Sequence, residues 1–124
     1  MPDIKLVSFG FLHGAPPVAD LTFDLRPYRD PHVSPELREL TAHDQIVVDT
    51  VLATPGITEV IESVTRAAAF ELITGDTDVT IAIGCSGGRH RAPVVAEQVY
   101  QDLREQDWPV DLVHRDLQLP VVHR

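Results

Sequence analysis

The residues best able to do chemistry in this 124-residue chain lie in one stretch, Ile81-Ala-Ile-Gly-Cys-Ser-Gly-Gly-Arg-His-Arg91. An apolar, β-branched run leads into a loop that carries Cys85, Ser86, Gly87, Gly88, Arg89, His90 and Arg91. The following residues, from Val94 to Leu103, have helical spacing, so the loop opens onto a helix N-terminus. Such a terminus presents unpaired backbone N–H groups and a positive partial charge, which together favour an anion. Gly84, Gly87 and Gly88 let the backbone approach a ligand closely. The side chains of Arg89, His90 and Arg91 add donors suited to phosphate. The stretch therefore reads as a phosphate-binding loop.

Cys85 and Arg91 also satisfy Cys-x5-Arg, the spacing of the phosphate loop of cysteine-dependent phosphatases. There a thiolate attacks phosphorus while an arginine holds the equatorial oxygens. Two departures stand against that chemistry. Gly84 occupies the place where those enzymes have histidine, and Ala92 the place of the Ser or Thr that assists the leaving thiolate. A small buried thiol at a strand end is the alternative reading of Cys85. No Walker A pattern and no Gly-x-Gly-x-x-Gly fingerprint is present. One cysteine and six dispersed histidines (13, 32, 43, 90, 114 and 123) offer no zinc-ligand spacing, so neither metal nor cofactor is expected.

The elements that must position the loop follow from hydrophobic periodicity. Strands are expected over 4–9, 21–25, 79–83 and 110–113, with the third apolar enough to be buried on both faces. Helices are expected over 35–41, 42–53, 58–73 and 93–106, the first with Ser34 as cap and Pro35 at its first position. Strands alternating with helices predict an α/β fold: one domain over 1–124, with a largely parallel sheet flanked by helices. Its core spans about 4–117, and 118–124 forms a short tail. In parallel sheets ligands sit beyond the C-terminal strand ends. That edge would gather His13, Arg26, Tyr28, Arg29, His32, the glycine loop, His114 and Arg115. Asp24 and Arg26, two apart on a strand, share a face. They read either as a structural ion pair or as ligands for a sugar hydroxyl and an anion.

Composition narrows the function classes. The formal net charge is −9, from 19 acidic residues against 10 basic ones. No diffuse basic face is available for non-specific nucleic-acid binding, so the few clustered arginines point to a local anion pocket. No apolar run approaches the length of a membrane span, and the N-terminus has no signal-peptide pattern. No disulfide can form within a chain that has a single cysteine, so the cytoplasm is the expected location.

An ordered set of motifs carries a resemblance. Ser8-Phe-Gly-Phe-Leu-His-Gly-Ala-Pro16, Ala19-Asp-Leu-Thr-Phe-Asp-Leu-Arg26, Asp30-Pro-His32, Leu37-Arg-Glu-Leu-Thr41 with Asp44, Ile81 to Arg91, and His114-Arg-Asp-Leu117 occur in sequence. Together they resemble the C-terminal domain of the RapZ family of bacterial RNase adapter proteins. The resemblance implies a fold related to a phosphofructokinase subdomain and a pocket that senses glucosamine-6-phosphate, in control of amino-sugar synthesis through small RNAs. It implies a ligand site made by Asp24, Arg26, His32, Ser86, Gly87, Gly88, His90 and Arg91, and it gives Cys85 no nucleophilic role. It also implies a homo-oligomer. The chain departs from the family pattern in having Ala92 for serine and no basic C-terminal tail. The family's N-terminal P-loop domain has no counterpart in it. The resulting expectation is a stand-alone regulatory domain for a small phosphorylated metabolite, with a phosphatase-like enzyme and an RNA-binding adaptor as alternatives.

Overall fold

The computed structural model describes residues 2–122. Four strands form one sheet: β1 (Ile4–Gly10), β2 (Leu21–Asp24), β3 (Val79–Cys85) and β4 (Val110–His114). Four helices complete the domain: α1 (Pro35–Arg38), α2 (Gln45–Leu52), α3 (Ile57–Thr74) and α4 (Arg91–Glu105). The sheet order is β2-β3-β1-β4, and every neighbouring pair is parallel. The fold is the expected single α/β domain, and the parallel sheet is complete rather than partial.

Alternation along the strands sorts the side chains. Ile4 and Leu6 of β1, with Val79, Ile81, Ile83 and Cys85 of β3 and Val110 of β4, share one face and one core with α2, α3 and α4. The helical stripe Ile57, Ile61, Val64 and Ala68 of α3 closes that core against Val95, Val99 and Leu103 of α4. The opposite face carries Val7, Phe9, Ala82 and Gly84, with Phe11 of the 3₁₀ turn Phe11–His13 set against Gly84. The segment linking β1 to β2 runs back along it. Leu12 donates its amide to Ser86 O (3.0 Å) at one end of β3, and Asp20 to Thr80 O (2.8 Å) at the other. Val7 and Ala82 on that face are buried.

Two helices begin differently from their sequence signals. α1 is a single turn, and the Ser34 side chain makes no capping bond to it. α2 starts at Gln45 rather than Ala42, because the Asp44 carboxylate accepts from Thr41 N (2.9 Å) and closes a local turn first. Of the expected tail, 118–122 lacks regular helix or strand, while His123 and Arg124 lie outside the described residues.

Candidate functional site

The parallel register brings all four strand ends to one edge. Gly10 pairs with Cys85, Asp24 with Gly84, and Ser8 with His114. The loop from Ser86 to His90 leaves the middle of this edge and turns directly into α4. Gly88 has a φ of +74°, a left-handed conformation that favours glycine. Its surroundings are as restrictive as its dihedral. A Cβ on Gly88 would lie 2.8 Å from Gly10 N, and one on Gly10 would lie 2.5 Å from Gly87 C. The end of β1 and the loop are thus packed backbone to backbone.

This packing leaves the loop's donors unspent. Among the described residues, no backbone carbonyl accepts from the amides of Gly87, Gly88, Arg89, His90 or Arg91. The next amide, Ala92 N, donates to the Cys85 thiol (3.4 Å), and Pro93 has none to offer. The open donors therefore belong to the glycine loop itself, immediately ahead of a 15-residue helix. Cys85 is only 2% exposed and belongs to the core, with its sulfur beneath the first turn of α4 rather than at the surface.

The three charged or titratable side chains of the loop face inward and hold other segments. Arg91, 2% exposed, donates through Nη1 to the carbonyls of Leu25 (3.2 Å), Arg26 (3.2 Å) and Tyr28 (2.8 Å). Its Nη2 reaches Ser86 Oγ (3.3 Å) and the Asp30 carboxylate (3.1 Å), while Nε is buried without a partner. His90 Nε2 contacts the carbonyls of Leu40 (2.7 Å) and Leu37 (3.1 Å). It must therefore carry the proton. Burial pushes the His90 pKa below the usual histidine range, against the opposing pull of the Leu40 carbonyl, Asp30 and the Leu37 carbonyl. Arg89 donates to Leu119 O (2.8 Å) and Glu39 O (2.9 Å).

These anchors assemble the sequence-derived residues around the loop. Arg91 draws in the turn after β2, and with it Asp24, Arg26 and the 3₁₀ turn Pro31–Val33 that contains His32. Asp24 and Arg26 form the anticipated ion pair, with Arg26 Nη2 2.8 Å from Asp24 Oδ2, and this holds the Asp24 carboxyl below the ordinary carboxylate range. The Arg26 guanidinium carbon lies over the Phe11 ring, 3.8 Å from its centroid, and the side chain remains half-exposed. Arg29, on the same turn, is exposed as well. His32 donates its amide to Asp30 Oδ1 (3.0 Å), and its carbonyl accepts from Arg38 Nε (3.0 Å).

Asp116 is the residue that inspection of sequence motifs did not single out. Its carboxylate, 3% exposed, accepts from Gly10 N (2.8 Å) and from Arg115 Nη2 (2.8 Å). Burial alone would raise its pKa, but Arg115 and the Gly10 amide outweigh burial and leave it below the usual value. Asp116 thereby fixes the β1 end against which the loop packs. The only advance signal was its place in His114-Arg-Asp-Leu117. His114 itself points away from the loop, with Nδ1 2.6 Å from Ser8 Oγ. A hollow of about 530 Å³ lies between α2 and α4 and is lined by none of Ser86–Arg91.

The domain matches the family model described as RapZ C-terminal domain over residues 2–118. Among curated relatives, it is 42% identical over 118 residues to a nucleotide-binding protein of Thermobifida fusca, covering 91% of this chain and 40% of that protein. A nucleotide-binding protein of Desulfovibrio desulfuricans is 40% identical over 120 residues, covering 94% and 39%. One of Sphingopyxis alaskensis is 41% identical over 120 residues, covering 94% and 38%. The chain thus spans about two fifths of the length of these relatives. Their names describe whole proteins, of which this domain corresponds to a part. With the family model covering nearly its whole length, the chain belongs to the RapZ C-terminal domain family.

Proposed function

We propose that this domain is a regulatory binding module for a small phosphorylated metabolite, a phosphosugar such as glucosamine-6-phosphate, held at the glycine loop. The observation that carries the reading is the run of loop amides from Gly87 to Arg91 to which, among the described residues, no backbone carbonyl is bound, set at the start of a long helix. Consecutive backbone N–H groups of this kind cradle phosphate oxygens. Ser86 Oγ lies beside them, and Arg26 supplies a half-exposed guanidinium from the neighbouring turn. Asp24 would receive a sugar hydroxyl, and His32 lies on the same turn. His90 and Arg91 serve this site by fixing the loop and its neighbours in place.

The inward-facing cysteine argues against the phosphatase alternative. A phosphatase needs an accessible thiolate, whereas the Cys85 sulfur is buried in the core. Membership of the family supports regulation as the purpose of binding. The reading is tested by nitrogen–proton correlation spectra recorded with inorganic phosphate, hexose phosphates and the same sugars without phosphate. Shifts at the amides of 86–91 with the phosphorylated ligands alone support it. A loop that stays silent with all of them overturns it.

A further inference from the structure

The hollow between α2 and α4 is polar at its rim and apolar at its floor. Its volume of about 530 Å³ lies in the range of small-molecule pockets. Val48 and Leu52 of α2 and Pro93 and Val94 of α4 make the floor. Among the described residues no lysine or arginine lines it, so an anionic ligand would find no counter-charge. A cationic ligand fares little better. The lining carboxylate, half-exposed Glu97, already accepts from Gln101 Nε2 (3.5 Å) through Oε1 and faces His114 Nε2 (3.7 Å) through Oε2. The cleft is therefore suited to a neutral solute.

The polar side chains of the rim are held in place and keep both kinds of hydrogen-bonding capacity. Gln45 Nε2 donates to Asp49 Oδ1 (2.8 Å) and Gln98 Nε2 to Asp102 Oδ1 (3.0 Å). Each of these carboxamides, like that of Gln101, retains a second N–H and its carbonyl oxygen. Fully buried Ser8 holds His114 through Nδ1 (2.6 Å), and burial keeps the His114 pKa below the usual histidine range. Its neutral ring has one donor and one acceptor nitrogen. His43 stands exposed at the mouth.

A ligand that answers such a rim carries donors and acceptors along its edge and an apolar surface on its face. Sugars and amide heterocycles both have mixed edges, and the floor separates them. Its side chains are aliphatic, and among the described residues no aromatic ring lines the cleft for a sugar's C–H face to stack on. A flat heterocycle packs well against aliphatic side chains, and a carboxamide pairs in two bonds with neighbouring donor and acceptor groups of a base. We propose that this cleft binds a neutral nucleobase, carried by a free nucleoside. Without a lining cation the cleft has nothing to hold a phosphate, which favours the nucleoside over a nucleotide or an RNA base. This site is separate from the glycine loop, so neither proposal depends on the other.

The test is a titration of the intact chain, followed by backbone amide shifts, with uridine and with adenosine. Saturable shifts at 94–101 and at His114 with either nucleoside are expected. The same nucleosides methylated at their base N–H groups keep the ring and lose its donors, and should bind about tenfold more weakly. Binding should also weaken about tenfold in Gln45→Met or Gln98→Met, which keep the length of the side chain without its polar atoms. Gln45 is exposed, so its variant should keep the fold. The monophosphate and the trinucleotide of the nucleoside that binds separate the sources. Tighter binding of either assigns the base to a nucleotide or RNA and overturns the nucleoside, whereas equal or weaker binding supports it. Equal shifts with ribose alone, no shift in the cleft with either nucleoside, equal affinity for the methylated forms, or unchanged affinity in both variants would overturn the proposal.

Discussion

Arg91 begins helix α4, yet its guanidinium reaches Asp30 at 3.1 Å, on the turn that follows β2. With the carbonyls of Leu25, Arg26 and Tyr28 it completes a set of contacts that sews two loops of the sheet edge together. The arginine with the most phosphate-like spacing is thus a scaffold for the site, while Arg26 and Arg29 on the turn it holds are exposed.

Arg91→Ala should therefore destabilise the fold before it affects anything else. Removing the buried guanidinium takes the cationic partner from Asp30 and the donor from the Arg26 and Tyr28 carbonyls, a cost of about 3–5 kcal/mol. Arg91→Lys keeps the charge but loses the fork that spans several acceptors, and should fall between the two. Urea denaturation of the three proteins checks the ranking. Wild-type stability in Arg91→Ala would refute the scaffold role.

Gly10 and Gly88 should tolerate no side chain. A Cβ on Gly10 would sit 2.5 Å from Gly87 C, and a Cβ on Gly88 would meet Gly10 N at 2.8 Å with φ at +74°. The neighbouring atoms are backbone and cannot yield cheaply. Each alanine substitution should cost about 1–3 kcal/mol by overpacking. Each should also displace the loop amides, so phosphate binding measured by calorimetry should weaken in step with the loss of stability.

Asp116→Ala should be among the most damaging changes at this edge that leave the glycine loop's own sequence intact. It leaves the Gly10 amide without its acceptor and Arg115 without its carboxylate. A buried donor deprived of its partner costs about 1–3 kcal/mol. Thermal unfolding of Asp116→Ala beside Asp116→Asn, which keeps an acceptor, reads the effect, and the asparagine variant should be milder.

Acid should weaken the fold in two separate windows. His90 and His114 both have folded pKa values lowered from 6.5, primarily by burial. The unfolded chain therefore binds more protons in the interval just below 6.5. Stability is full above that value and falls as pH drops through it toward the folded pKa values. Asp116 has a folded value lowered from 3.8, so its contribution holds above 3.8 and is lost only as pH falls below it. Unfolding midpoints from pH 8 to pH 5 should decline in the wild type. They should be flatter in His90→Gln combined with His114→Gln.

The strands were legible because their β-branched alternation is strong, as in Val79 to Ile83, and the helix of 57–74 because its stripe is long. The convergence of loops followed from parallel strands alone. Shorter elements were harder: a carboxylate–amide bond from Asp44 to Thr41 cut three residues from the start of α2, a local competition that periodicity does not register. The loop residues lie together at the sheet edge that parallel strands imply, but their directions were not readable. Whether a guanidinium faces solvent or a set of carbonyls depends on where the turn at 25–30 passes, and that is a tertiary relation. Asp116 was hidden for the same reason, since its partner Gly10 is 106 residues away.

The central claim is that the glycine loop takes a phosphorylated sugar. Thermal unfolding with glucosamine-6-phosphate, glucosamine, other hexose phosphates and inorganic phosphate tests it most directly, in the wild type and in Arg26→Ala. A ligand selective for the folded state raises stability by about 2.7 kcal/mol at a hundredfold excess over its dissociation constant. The account predicts a rise with a phosphosugar, none with the unphosphorylated sugar, and a reduced rise in Arg26→Ala, whose exposed side chain is not needed for the fold. A midpoint unmoved by every phosphate, or moved equally by glucosamine, would contradict it.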